Sequence, residues 1–150
     1  MRTIDPHHGI GTLAVHAGGV SDPLNAHVTP IYQTSTFSFK DSDSGAATFL
    51  REQPGFIYTR LGNPNQLEAA AKIAVLEGLD LLRQRPEASP DEVVAGQVFA
   101  TGMAAITTAI LACVQGGQTV IAQKALYSAT FNYLSNLLPR YGIEVVWVED

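Results

Sequence analysis

The stretch "VVAGQVFATGMAAITTAILACVQGGQTVIAQ", residues 93–123, holds no charged residue and decides how the rest of the chain is read. It is long enough to raise the question of a membrane span, but glycines and polar residues break it repeatedly. Its pieces read as "VVAGQVFA", a buried strand, "GMAAITTAILACV", a helix stopped by Gly116 and Gly117, and "TVIAQ", a second strand. Working outward, "SATFNYLSNLLPRY" reads as a helix and "IEVVWV" as a strand. Nearly continuous apolar strands alternating with helices predict an α/β fold with a parallel sheet and helices on its faces.

Bulk properties bound the functional classes. The chain has 150 residues, 46% hydrophobic and 15% charged, with a net charge of -5. That is enough chain for a substantial core in an ordinary globular composition. Mild acidity argues against a general nucleic-acid binder. Cys113 is the single cysteine, so no intrachain disulfide can form and a reducing compartment is expected. The opening "MRTIDPHH" has an acid, a proline and two histidines where a signal peptide needs a basic and then an apolar region, which predicts a cytoplasmic protein. His7, His8, His16 and His27 lack carboxylate or cysteine partners at ligand spacing, so no metal site is predicted. No G-x-G-x-x-G or G-x-x-x-x-G-K-[ST] motif is present to suggest a dinucleotide or a nucleoside triphosphate.

Organisation changes near residue 63. Residues 1–63 are rich in Thr, Ser, Gly, Pro and Asn and sustain no helical period beyond a couple of turns, so they are expected to lie on something larger. From Asn63 regular structure takes over: Asn63 fits an N-cap, Pro64 the first helical position and Gln66 the third residue of a capping box. That helix is predicted to run to Gly78, and "LRQRPEASPDE" to form an exposed connection.

Ligands of doubly wound sheets bind where strands end and helices begin. Thr101-Gly102-Met103 follows the first predicted strand; a glycine there admits a ligand close to the backbone, and free N–H groups at the helix start attract an anion. The ordinary alternative is a Thr cap and a Gly chosen for tight packing. Lys124 and Tyr127 follow the second strand, where a half-buried aromatic is equally ordinary. In "FIYTRLGNPN", residues 56–65, Tyr58 and Arg60 stand two apart. In an extended segment both point the same way and can converge on one anion, which Arg grips bidentately; the alternative is a surface Arg beside a packed Tyr.

Six motifs in order, "AVHAGG", "TPIYQTSTF", "YTRLGNP", "LEG", "TGMAAI" and "ALYSATF", resemble the N-terminal half of the cystathionine γ-synthase-like family of pyridoxal-phosphate enzymes, which includes cystathionine γ-lyase, methionine γ-lyase and O-acetylhomoserine sulfhydrylase. The resemblance covers nearly the whole chain. It implies an aspartate-aminotransferase-like fold (fold type I), here an arm over 1–63 and the first part of the large cofactor domain over 64–150. It also implies pyridoxal 5'-phosphate as cofactor and a homotetramer of tight dimers in which the arm completes the neighbour's site. Tyr58 and Arg60 are then expected to hold the phosphate of the adjacent subunit's cofactor, Gly102 and Met103 to bind phosphate through backbone N–H groups in their own subunit, and Tyr127 to stack on the pyridine ring. The implied reaction is elimination or replacement at the γ-carbon of an amino-acid substrate such as cystathionine, methionine or an O-acylhomoserine. Tyr127 is the candidate acid for departure of the γ-substituent, given nearby positive charge.

The chain departs from the family pattern at Thr101, usually Ser, at Asn65, usually Thr, and at Ser128-Ala129, usually Gly-Gly or Gly-Cys. The longer connection over residues 79–96 is expected to be a surface insertion. The family's cofactor-bearing lysine, in a Ser-x-Thr-Lys setting, and its partner aspartate and arginine lie beyond residue 150; Lys40, Lys72 and Lys124 do not match that setting. The sequence is therefore read as an N-terminal fragment of a longer enzyme, inactive alone. The competing classes are a non-catalytic regulatory subunit and an unrelated α/β module that binds phosphorylated metabolites.

Overall fold

A computed structural model describes residues 5–19 and 22–149; the first four residues of the "MRTIDPHH" segment lie outside the described residues. Helices α1 (Ile10–His16), α2 (Ser42–Phe49), α3 (Pro64–Glu77), α4 (Leu79–Gln84) and α5 (Pro90–Val93) belong to one compact unit, Met1–Val98. Helix α6 (Gly102–Cys113), strand β1 (Thr119–Gln123), helix α7 (Ser128–Asn132) and strand β2 (Glu144–Val148) belong to a second, Phe99–Asp150. Among the described residues no helix is long and apolar enough to cross a membrane.

In the first unit α3 is the organising element. It starts where the sequence signals it, with Asn63 in extended backbone accepting from the Asn65 N–H and Pro64 at the first turn, and it ends at Gly78. Gln66 closes no capping box and faces a groove instead. Small residues on α3 let neighbours come close. Gly18, at φ +73°, sits so near α3 that a Cβ there would lie 2.8 Å from the Glu68 carbonyl oxygen, which gives "AVHAGG" a packing reason. Leu13 and Ala17 beside it are fully buried, and Lys72 on α3 donates to the Val15 carbonyl at 3.2 Å.

The stretch that follows α3 departs from expectation in two ways. The connection over 82–92 is mostly exposed, as expected, but the segment over 79–96 also forms α4 and α5 and buries Leu79 and Leu82; two apolar residues three apart on a short helix anchor it. At the start of α5 the Ser89 N–H donates to the Glu92 carboxylate at 3.0 Å. The predicted strand over "VVAGQVFA" is neither a strand nor buried: no ladder pairs it among the described residues. A strand is defined by its hydrogen-bonded neighbour, and here Gly96 is used instead for close approach to α3, where a Cβ would stand 2.3 Å from the Ala70 carbonyl oxygen.

The second unit follows the sequence closely. Strands β1 and β2 pair in parallel, Thr119 opposite Glu144 through Gln123 opposite Val148. Strand alternation turns Val120, Ala122, Val145 and Trp147 toward a core of Tyr133, Leu134, Leu138 and Ile143. The opposite sheet face leaves Ile121 71% exposed, with Val146 and Val148 beside it. The predicted helix over "SATFNYLSNLLPRY" is continuous but changes pitch: α7 passes into a π turn over Tyr133–Leu137 and a 3-10 turn over Leu138–Tyr141, ending at left-handed Gly142. The Tyr133 hydroxyl is buried without a hydrogen-bond partner among the described residues.

Two stability measurements test this packing. Gly96→Ala should destabilise by about 1–3 kcal/mol in denaturant unfolding, because the new methyl meets rigid backbone rather than a flexible side chain. Burial, and to a smaller extent Tyr141, raises the Tyr133 phenol above its ordinary 10.0. The native state therefore holds that proton more tightly than the unfolded chain, so the stability this supplies is present below pH 10 and is lost as pH climbs through the native value. Tyr133→Phe should remove that alkaline loss without lowering stability at neutral pH; an unchanged alkaline profile would show that another group controls it.

Candidate active site

The residues singled out by sequence fall into two sets, one in each unit. In the first, Thr36 and Tyr58 form an antiparallel bridge. The Phe37 N–H donates to the Ile57 carbonyl at 3.1 Å and the Thr59 N–H to the Ser35 carbonyl at 2.9 Å. The Thr59 hydroxyl also donates to the Thr34 carbonyl. The chain then turns rather than continuing extended: the Leu61 and Gly62 N–H groups both donate to the Tyr58 carbonyl, at 2.8 and 3.1 Å. Strand alternation is therefore not what brings Tyr58 and Arg60 together. The turn folds the guanidinium back over the phenol ring, with Cζ 5.3 Å from the ring centroid, a cation–π arrangement that leaves the N–H fork free.

Arg60 forms no ion pair among the described residues. Tyr58 and Arg60 line an open groove of about 780 Å³ with Tyr32, Thr34, Gln66 and Gln97. Its wall of amides and hydroxyls presents no carboxylate, so a single free cation among neutral donors suits an anionic group. Sequence reasoning missed Gln66 and Gln97 as groove residues, because they come together only through the packing of Gly96 on α3.

The buried Asn63 side chain is the hub beneath this groove. Its amide donates to the Tyr32 carbonyl at 2.9 Å and to the Thr59 hydroxyl at 3.3 Å, while its oxygen caps α3 through the Asn65 N–H at 3.0 Å. The sequence identified the cap and not the two further bonds; nothing local signals a partner 31 residues away, and the Thr59 contact depends on the turn between.

In the second unit the start of α6 has the form of an anion cradle. Thr101 lies in extended backbone, and its hydroxyl accepts from the Ala104 N–H at 3.1 Å. The Ala105 N–H goes to the Thr101 carbonyl at 3.2 Å. Gly102 and Met103 keep N–H groups with no partner among the described residues, as the first turn of a helix must unless something else claims them. A Cβ on Gly102 would meet nothing within 4 Å, so no packing contact accounts for the glycine there. Thr130, the third residue of α7, contacts the Met103 sulfur at 3.6 Å and sets the starts of α6 and α7 side by side. Tyr127, the residue before α7, is 69% exposed with its ring unclaimed. Lys124 is engaged instead: its ammonium pairs with Glu149 at 3.0 Å, joining the ends of β1 and β2.

A family model described as Cys/Met metabolism PLP-dependent enzyme matches residues 11–150. The chain belongs to this family. L-methionine gamma-lyase from Porphyromonas gingivalis is 40% identical over 141 residues, which make up 94% of this chain and 32% of that protein. O-acetyl-L-homoserine sulfhydrylase from Leptospira meyeri is 35% identical over 140 residues, 93% of this chain and 28% of that protein. Among solved structures, a chain from Campylobacter jejuni assigned as an O-acetylhomoserine (thiol)-lyase, with pyridoxyl-lysine-5'-monophosphate in it, superposes with a TM-score of 0.76 at 28% identity, over 95% of this chain and 31% of that one. The chain thus spans about a third of the length of the curated relatives it matches. It has the fold of the N-terminal part of the PLP enzymes of fold type I, as its motifs implied.

If Gly102 serves the ligand rather than the fold, Gly102→Ala should leave thermal stability essentially unchanged. Thr101→Val should lower it by about 1 kcal/mol through loss of the cap alone. A large loss in the glycine variant would assign Gly102 to packing.

Proposed function

We propose that the chain supplies the N-terminal part of a pyridoxal-phosphate enzyme of sulfur amino-acid metabolism acting at the substrate γ-carbon. The observation that carries this reading is the pair of N–H groups on Gly102 and Met103, unclaimed among the described residues at the positive end of α6. The residues present fit the cofactor. Two parallel N–H donors suit phosphate oxygens, and Tyr127 offers an exposed ring for a flat heterocycle. Arg60 offers a charged fork held over Tyr58.

Bound there, pyridoxal phosphate supplies an electron sink for a substrate carbanion. The protein's share is to anchor and orient. Gly102 and Met103 fix the phosphate in their own subunit, Tyr127 covers the ring and stands as the candidate proton donor to the departing γ-substituent, and Tyr58 with Arg60 add charge-assisted contacts to the phosphate of the adjacent subunit's cofactor. We assign residues 1–63 as an arm that reaches the neighbouring subunit's site in a homo-oligomer, and 64–150 as the first part of the cofactor domain. The change of composition at residue 63 supports that boundary. The lone Cys113 supports a reducing, cytoplasmic setting.

A proline at the first helical position keeps helix geometry and deletes one N–H; the extended Thr101 before it tolerates that residue. In the natural polypeptide, Gly102→Pro should therefore fold normally and bind pyridoxal 5'-phosphate roughly tenfold more weakly in equilibrium dialysis, a loss of about 1.4 kcal/mol. Binding of pyridoxal, which lacks the phosphate, should hardly change. Arg60→Ala should likewise weaken cofactor retention far more than Lys72→Ala, whose ammonium serves Glu68 and the Val15 carbonyl. Equal losses for pyridoxal and its phosphate in the proline variant would remove the cradle from this scheme.

A further inference from the structure

The segment that forms one wall of the groove has little apolar anchorage. Ile31 is 87% exposed, and residues 33–36 are exposed as well. What holds the start of this segment is the side chain of Asn65, the second residue of α3. Its amide donates to the Pro30 carbonyl at 2.8 Å and its oxygen accepts from the Tyr32 N–H at 2.8 Å. One carboxamide thus grips the backbone on both sides of Ile31, with the donor–acceptor pattern of a peptide group in a neighbouring strand. Asn63 takes the remaining Tyr32 carbonyl at 2.9 Å.

From Tyr32 onward the same segment is fastened to the Arg60 turn. Thr34 and Ser35 accept from Thr59, and Phe37 donates to Ile57. Tyr32 and Thr34 line the groove beside Arg60. The Asn65 bonds are therefore the first in a continuous ladder from the start of α3 to the residue that precedes Arg60.

We propose that Asn65 is a positioning residue for the Arg60 anion contact: it acts as a one-residue substitute strand that fixes the Pro30–Tyr32 backbone, and through Thr34 and Thr59 the turn that aims the guanidinium. The inference rests on the reading of Arg60 as a phosphate contact. Removing the carboxamide releases the exposed Pro30 carbonyl and the half-buried Tyr32 N–H toward water, which disturbs the fold little. The loss falls on preorganisation, because a mobile wall lets Arg60 sample orientations that cannot meet a phosphate.

A cycle of variants in the natural polypeptide separates positioning from general stability. Asn65→Ala should weaken binding of pyridoxal 5'-phosphate roughly fivefold, about 1 kcal/mol, in equilibrium dialysis. It should leave pyridoxal binding unchanged, and in an Arg60→Ala background it should cost under about twofold, since a side chain already removed cannot be misaligned. Any change in melting temperature should persist in both backgrounds. Asn65→Ser, a milder truncation, carries the same comparison if the alanine variant fails to fold. Equal losses with and without Arg60, or no loss at all, would overturn the positioning role while leaving Arg60 a phosphate contact. No effect of Arg60→Ala on phosphate-dependent binding would overturn both.

Discussion

One buried side chain, Asn63, ties the first unit together by satisfying three groups at once: the first turn of α3, the Tyr32 carbonyl and the Thr59 hydroxyl. A buried amide is costly unless its capacity is used, and here it is spent across 31 residues of chain. The helix start and the polar segment before it are thereby one structural device. The groove with Arg60 exists because a polar, largely exposed segment is fastened to a helix rather than packed into a core.

What the sequence disclosed and what it concealed follow from the range of the forces involved. Helix α3, the Thr101 cap of α6, β1 and β2 carry their signals within a few residues, in caps, glycine stops and apolar alternation. "VVAGQVFA" misled because an apolar run specifies burial of some kind but not a partner strand, and Gly96 serves contact with Ala70 instead. The pitch change after α7 was hidden because its cause is which side chains reach the core. Tyr133, Leu134 and Leu138 all do, while the residues between them do not.

The candidate site divides along the same line. Gly102, Met103 and Tyr127 occupy the beginnings of helices that the chain's punctuation marks, so their places were legible. The nearness of Tyr58 and Arg60 was legible too, although for the wrong reason: a turn and a cation–π contact bring it about, not strand alternation. Gln66, Gln97 and the Asn65 bonds were not, because each depends on a contact between stretches some 30 residues apart.

The outer face of the β1–β2 sheet has a colloidal consequence. Ile121, Val146 and Val148 form an apolar strip on a chain whose net charge is only -5. At low ionic strength, like-charge repulsion between molecules opposes contact through that strip; added salt shortens the reach of the repulsion and leaves the apolar attraction intact. Solubility should therefore be governed by a competition in which moderate salt, usually a help to purification, favours precipitation.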